Sequence, residues 1–320
     1  MRSMLDVLVV TFPFFALVLC GYVATRRGYL PLVAIPGLNT FVLYFALPCL
    51  LFRFGATTPI ANSLNAGVVG VYFFCALIMV TFTVAVTLSH RVGWNDAAFG
   101  ALVAAFPNTG YMGVPLLVAL LGPRAAGPAI VTILVDLLFT SSLCIALSRL
   151  GGADRHGAAV AARSAVRGVL ANPMPWAIIL GVVSYVAGLP LPGPIMQTVS
   201  LLADAASPVA LFTIGAVLAR SQRVAADPTP LVDYVPVALK KLVLHPLLVL
   251  IMGRAAVSLG VPLDPFALTV IVLVAALPSA SNVVMLAERF QADSGRIARI
   301  ILVSTALAFL TFSGAVALLA

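Results

Sequence analysis

The sequence predicts an all-α polytopic membrane protein: ten transmembrane helices in two inverted five-helix repeats, with broken crossover helices four and nine. Three observations predict it. Of 320 residues, 62% are hydrophobic and only 9% charged, whereas soluble domains carry about a quarter charged residues. Ten apolar stretches approach the ~20 residues that a helix needs to cross hydrocarbon. The segment Leu102-Val-Ala-Ala-Phe-Pro107 returns as Leu273-Val-Ala-Ala-Leu-Pro278, so each half of the chain puts a proline inside an apolar stretch.

The expected spans are 5–25, 34–54, 66–89, 97–121, 128–149, 172–189, 196–219, 234–259, 266–287 and 297–319. Span one follows Met1-Arg-Ser-Met-Leu-Asp6 directly, with no small-residue cleavage site, so no cleavable signal segment is expected. Its Tyr22-Val-Ala24 has an echo in span six, Tyr185-Val-Ala187. Span two holds Ala46-Leu-Pro48 with Leu51-Phe52, and span seven holds Ala206-Ser-Pro208 with Leu211-Phe212 at a constant offset. Spans four and nine carry the proline segments. The linkers are short and turn-like, as in Leu189-Pro-Leu-Pro-Gly-Pro194. The longest polar connection, about 150–170, is too short for a soluble domain. The chain therefore divides into a first repeat over 1–150, a cytoplasmic linker over 151–170 and a second, inverted repeat over 171–320.

Charge placement orients the spans. Linkers after odd-numbered spans hold Arg26, Arg27, Arg91, Arg149, Arg155, Arg163, Arg167, Arg220, Arg223, Arg289, Arg296 and Arg299. The opposite side holds Arg2, Arg53, Arg124 and Arg254. The positive-inside rule puts the larger set in the cytoplasm and both termini outside. The same scatter argues against nucleic-acid binding despite a net charge of +8, because no dense basic patch forms. Cys20, Cys49, Cys75 and Cys144 lie inside spans without metal-ligand spacing and read as free, apolar-like thiols.

The residues expected to carry function lie at the two breaks. Phe106-Pro-Asn-Thr-Gly-Tyr-Met-Gly-Val-Pro115 packs two prolines, two glycines and hydrogen-bonding side chains into one window. A proline removes a backbone donor and obstructs the helix. The freed groups in hydrocarbon must be met by protein or by a water-lined cavity. A half-helix that starts at such a break points its partially positive end at the membrane midplane, where a carboxylate is stabilised without a full cation. Pro107, Asn108, Thr109, Gly110 and Tyr111 are the candidates of the first break; Pro278, Ser279, Ser281 and Asn282 are those of the second. A simple packing kink is the plainer alternative.

Ionisable residues inside spans are the next candidates. They are Asp136, Asp204, Lys240, Lys241 and His245. Lys240 and Lys241 are the only lysines in the chain. Such a lysine could pair with Asp136, hold the broken helices, replace a sodium ion, or snorkel to the membrane surface. Asp204 could pair within the other helix group or line the cavity. His245 could titrate near neutral pH or serve as a hydrogen-bonded structural residue. HExxH, GxSxG, phosphate-loop and dinucleotide patterns are absent, and an enzyme, a catalytic residue, a metal site or a cofactor is not expected.

Three motifs together resemble the auxin efflux carrier family, including its bacterial organic-acid and malonate permeases: 107–115, Leu239-Lys-Lys-Leu-Val-Leu-His-Pro246, and Pro278 through Glu288. The resemblance covers essentially the whole chain and implies the fold of bile-acid sodium symporters. Spans 1, 2, 6 and 7 would form a scaffold that dimerises as a homodimer. Spans 3–5 and 8–10 would form a moving transport domain, with substrate at the crossover beside Asn108 and Asn282. The chain lacks the long cytoplasmic loop of plant hormone exporters, which points to a bacterial inner membrane and a simpler substrate than auxin. The expected function is secondary active or uniport-type transport of a small organic anion, by an elevator mechanism and in the efflux direction, with proton coupling through Asp136, Asp204, Lys240, Lys241 or His245 as the hypothesis to test. The alternatives are a sodium-coupled importer and an anion channel.

Overall fold

A computed structural model describes residues 4–57, 66–149, 163, 170, 172–224 and 229–319. Among these the chain is almost wholly helical and forms no named strand. The helical runs are α1 Met4–Arg26, α2 Leu32–Thr57, α3 Ala66–Thr87, α4 Trp94–Ala105, α5 Thr109–Leu121 and α6 Pro123–Ser148. They continue as α7 Pro173–Val186, α8 Gly193–Val224, α9 Leu231–Ser258, α10 Pro265–Ala276, α11 Val283–Arg289 and α12 Ser294–Leu319. Apart from positions 163 and 170, the expected linker 151–170 lies outside the described residues.

Seven helices among the described residues are long and apolar enough to cross a membrane: α1, α2, α3, α6, α8, α9 and α12. The stretch expected as one span over 97–121 is divided into α4 and α5, and that over 266–287 into α10 and α11. Each division falls at the repeated proline. Expected span six is a shorter helix, α7, closed by Gly188 at φ +63° ahead of the proline-rich turn. The starts of α7 and α10 follow from their sequence. Asn172 and Asp264 each precede a proline at the first helical position and cap the new helix, accepting from the Met174 and Ala267 amides.

Apolar residues cover the outside as well as the inside. Phe12, Leu19, Phe74, Leu201 and Leu318 are each more than half exposed, the arrangement hydrocarbon surroundings favour. The longest fully buried stretches lie in two of the interrupted helices. Ala97 through Ala105 of α4 and Val270 through Ala276 of α10 are all buried, as befits helices hydrophobic on every side.

Two close crossings join α1, α2, α7 and α8. A Cβ on Gly21 would sit 1.9 Å from the Phe212 carbonyl oxygen, and one on Gly215 1.8 Å from that of Val18. In the same way, a Cβ on Gly181 would lie 2.4 Å from the Phe52 oxygen. Only glycine allows backbones this near, the usual means of helix association where lipid supplies no hydrophobic drive.

Candidate functional site

The two breaks meet. Pro107 and Ser279 face each other as an isolated antiparallel pair. The Asn108 amide donates to the Pro278 carbonyl at 2.9 Å, and the Ala280 amide donates to the Phe106 carbonyl at 3.0 Å. Backbone groups freed by the prolines thus satisfy one another across the crossing, which removes the cost of leaving them bare. The Ser279 amide is taken by Ser304 Oγ of α12 at 3.2 Å.

Beyond the crossing, α5 begins with a wide, π-type turn over Thr109–Gly113. The amides of Met112 and Gly113 both donate to the Asn108 carbonyl. The amides of Gly110 and Tyr111 fall in the first turn, where a helix has no internal acceptor to offer. A small open hollow lies in front of them. Pro107, Asn108, Gly110, Tyr111 and Asn282 line it from the breaks, with Ala280 and Phe106 beside them. Leu47 of α2, Ile133 and Leu137 of α6 and Met174 of α7 close its other walls. A Cβ on Gly110 would stand 3.5 Å from Leu47 Cδ2, so the two sides are in near contact there.

Thr109, Pro278, Ser279 and Ser281 belong to the breaks but do not line the hollow. Thr109 Oγ1, Ser279 Oγ and Tyr111 Oη are buried with no hydrogen-bond partner, an unusual concentration of unmet polar groups. Asn108, Gly110, Tyr111 and Asn282 line one small space at the start of a thirteen-residue helix, the end whose dipole favours an anion.

The charged candidates divide into two places. Asp136, Lys241 and His245 are fully buried behind the crossing. Tyr72 Oη and Thr140 Oγ1 donate to the two Asp136 carboxylate oxygens, each at 3.0 Å. Lys241 Nζ donates to the Ala275 carbonyl at 2.5 Å and lies 3.3 Å from His245 Nδ1. The Tyr72 and His245 rings stand 6.0 Å apart, centroid to centroid, and connect the two halves of this cluster. Lys241 and Asp136 share one polar pocket without a direct ion pair. The cation sits on the C-terminal end of α10, where freed carbonyls and the helix dipole favour it.

Lys240 and Asp204 stand apart from that cluster. Lys240 is half-buried with its ammonium 5.7 Å from the Phe82 ring. Asp204 is exposed and pairs with Arg53 at 2.7 Å, joining α8 to α2. Tyr72, Thr140, Ser304, Leu47, Ile133, Leu137 and Met174 were not legible as site residues. Each is an ordinary residue of an apolar span until the helices are assembled.

A family model described as membrane transport protein matches residues 6–316. A Rhizobium meliloti (strain 1021) protein named "Putative malonate transporter" is 31% identical over 309 residues, spanning 94% of this chain and 92% of that protein. The "Uncharacterized transporter YfdV" of Escherichia coli (strain K12) is 27% identical over 290 residues, spanning 87% of this chain and 86% of its own. An "Uncharacterized transporter" of Methanothermobacter thermautotrophicus is 27% identical over 302 residues, 92% of each chain.

Proposed function

The chain belongs to the membrane transport protein family, the auxin efflux carriers whose motifs it carries, and is an integral multi-pass membrane transporter rather than an enzyme; from that premise we propose that it is a secondary carrier for a small organic anion. The observation that carries the reading is the hollow at the crossing of the two breaks, faced by Asn108, Asn282 and the start of α5. A carboxylate held there meets the polar groups of the two breaks.

In this reading the chain makes ten crossings, as two inverted five-helix repeats with both termini outside, in a bacterial inner membrane. Helices α1, α2, α7 and α8 form the scaffold of a homodimer, and the glycine crossings support their acting as one unit. Helices α3–α6 and α9–α12 form the moving body, and the hollow lies between the two. The transport body slides, elevator-fashion, and exposes the anion to the other side. Efflux is the favoured direction, since moving one negative charge out of a cell at 100 mV releases about 2.3 kcal/mol. Lys241 supplies a fixed cation at the end of α10, which supports stabilisation of the broken helix without a sodium ion. Asp136, Tyr72 and His245 form the candidate route for proton coupling.

The reading is tested by screening the purified protein's melting temperature against a panel of small carboxylates, since a ligand that binds only the folded state raises it. A three-carbon dicarboxylate and its monocarboxylate analogues are expected to give saturable shifts that Asn108→Ala removes. Shifts that persist unchanged in Asn108→Ala would place binding elsewhere.

A further inference from the structure

We propose that Lys240 binds the phosphate of one anionic phospholipid where α3 and α9 meet, with the acyl chains along the apolar faces that these helices turn outward. The site is separate from the hollow and does not depend on what the hollow holds.

Lys240 and Lys241 open the same wide turn of α9 and have different surroundings. Lys241 is fully buried and donates to the Ala275 carbonyl. Lys240 is half-buried, and its ammonium lies 5.7 Å from the centre of the Phe82 ring. No carboxylate pairs with it among the described residues, whose one ion pair is Arg53 with Asp204. Arg296 acts on it with a charge of the same sign. A ring face alone leaves the N–H donors of an ammonium unmet, which is costly for a charge partly withdrawn from water. Phe82 faces Lys240 and Tyr72 faces His245, so α3 and α9 run antiparallel. From Lys240 toward the membrane interior, Phe82, Ile78 and Phe74 follow one another along α3, and Val243, Leu247 and Ile251 along α9. All six are exposed. Their spacing of four residues keeps each set on one face of its helix. Phe82 stands five residues before the end of α3 at Thr87, about 8 Å along the axis. That is the depth of the boundary between headgroups and acyl chains, and a lysine stem carries its charge further outward. An anionic headgroup there supplies the missing counter-charge, and the two apolar faces receive its chains.

The test titrates lipid-stripped protein in an uncharged detergent with dioleoylphosphatidylglycerol and follows the melting temperature. The wild type is expected to show a saturable rise, much smaller with dioleoylphosphatidylcholine. Lys240→Gln is expected to raise the half-saturating lipid concentration about fivefold, and Lys240→Arg to keep it near the wild-type value. Arg27→Gln, which removes an exposed cation at the end of α1, is expected to leave it unchanged. Native mass spectrometry gives a second reading: Lys240→Gln should retain one phosphatidylglycerol fewer per chain than the wild type or Lys240→Arg. Equal half-saturation and equal lipid retention in the wild type and Lys240→Gln would overturn the proposal. An equal loss in Arg27→Gln, the mark of bulk charge alone, or equal stabilisation by the zwitterionic lipid would overturn it as well. Glycerol phosphate, a headgroup without chains, is expected to give no shift. A saturable shift with it that Lys240→Gln removes would assign the site to a soluble phosphate and overturn the lipid.

Discussion

Lys241 is fully buried and holds the Ala275 carbonyl, while Lys240, its neighbour in sequence, is half-buried with its ammonium over the Phe82 ring. The difference gives a prediction at the scale of one side chain. Lys241→Met leaves the end of α10 without its cation and the nearby Asp136 carboxyl without a compensating charge. It is expected to destabilise the protein by about 2 kcal/mol, the range for a buried polar group left unmet. Lys240→Met should change stability by no more than about 0.5 kcal/mol. Thermal unfolding of the two variants in detergent checks this, and equal losses would contradict it. The presence of ionisable residues inside spans was plain in the sequence. Their partners were legible only in part. Asp204 pairs with Arg53 within the α1, α2, α7 and α8 group, one of its two expected roles, whereas Asp136 is held by Tyr72 and Thr140 rather than by a lysine.

The helices carry a feature that prolines dictate. Wide π-type turns cover Val42–Ala46, Thr109–Gly113 and Lys240–Leu244. Each ends two residues before a proline: Pro48, Pro115 and Pro246. The proline has no amide to give, and its ring pushes away the carbonyl four residues back, so the preceding turn opens. A fourth such turn, Asp136–Thr140, has no proline after it; there Ser141 Oγ donates to the Asp136 carbonyl at 2.9 Å. Candidate residues Thr109, Gly110, Tyr111, Asp136, Lys240 and Lys241 all sit in these widened turns. At the same scale, Gly215→Ala inserts a methyl where the Val18 carbonyl lies 1.8 Å away. α1 and α8 must then separate, at a cost on the order of 3 kcal/mol. A lowered melting temperature and reduced yield of folded protein are expected, whereas Gly37→Ala, with nothing within 4 Å of its Cβ, should be neutral.

For the molecule as a whole, the prediction concerns relative movement of two bodies. Leu47 belongs to α2 and Gly110 to α5, on opposite walls of the hollow and nearly touching. Cysteines at these two positions, in a background lacking Cys20, Cys49, Cys75 and Cys144, can be joined by a short bifunctional thiol reagent. The joined protein should lose transport in proteoliposomes and regain it when a reducible linkage is cleaved. Full turnover with the linkage intact would eliminate sliding of one body against the other. The seven long spans follow from composition, because hydrocarbon demands long apolar helices and the sequence has them. The short α7 and the divided α4–α5 and α10–α11 follow from local glycine and proline chemistry, also written in the chain.

What the sequence determined alone was the membrane setting, the helical class, the family and the two proline breaks with their asparagines. Composition and local backbone chemistry act within a few residues of one another and need no assembled fold to be read. Tertiary structure decided that the Pro107 and Pro278 breaks hydrogen-bond to each other, that Lys241 sits on the end of α10, and that Leu47 and Met174 face Asn108 and Asn282 across one small space. Those relations join residues up to 235 positions apart, as Leu47 and Asn282 are. Apolar side chains look alike in a greasy sequence, and only packing chooses which of them meets lipid, which fills the interior and which becomes the wall of a site.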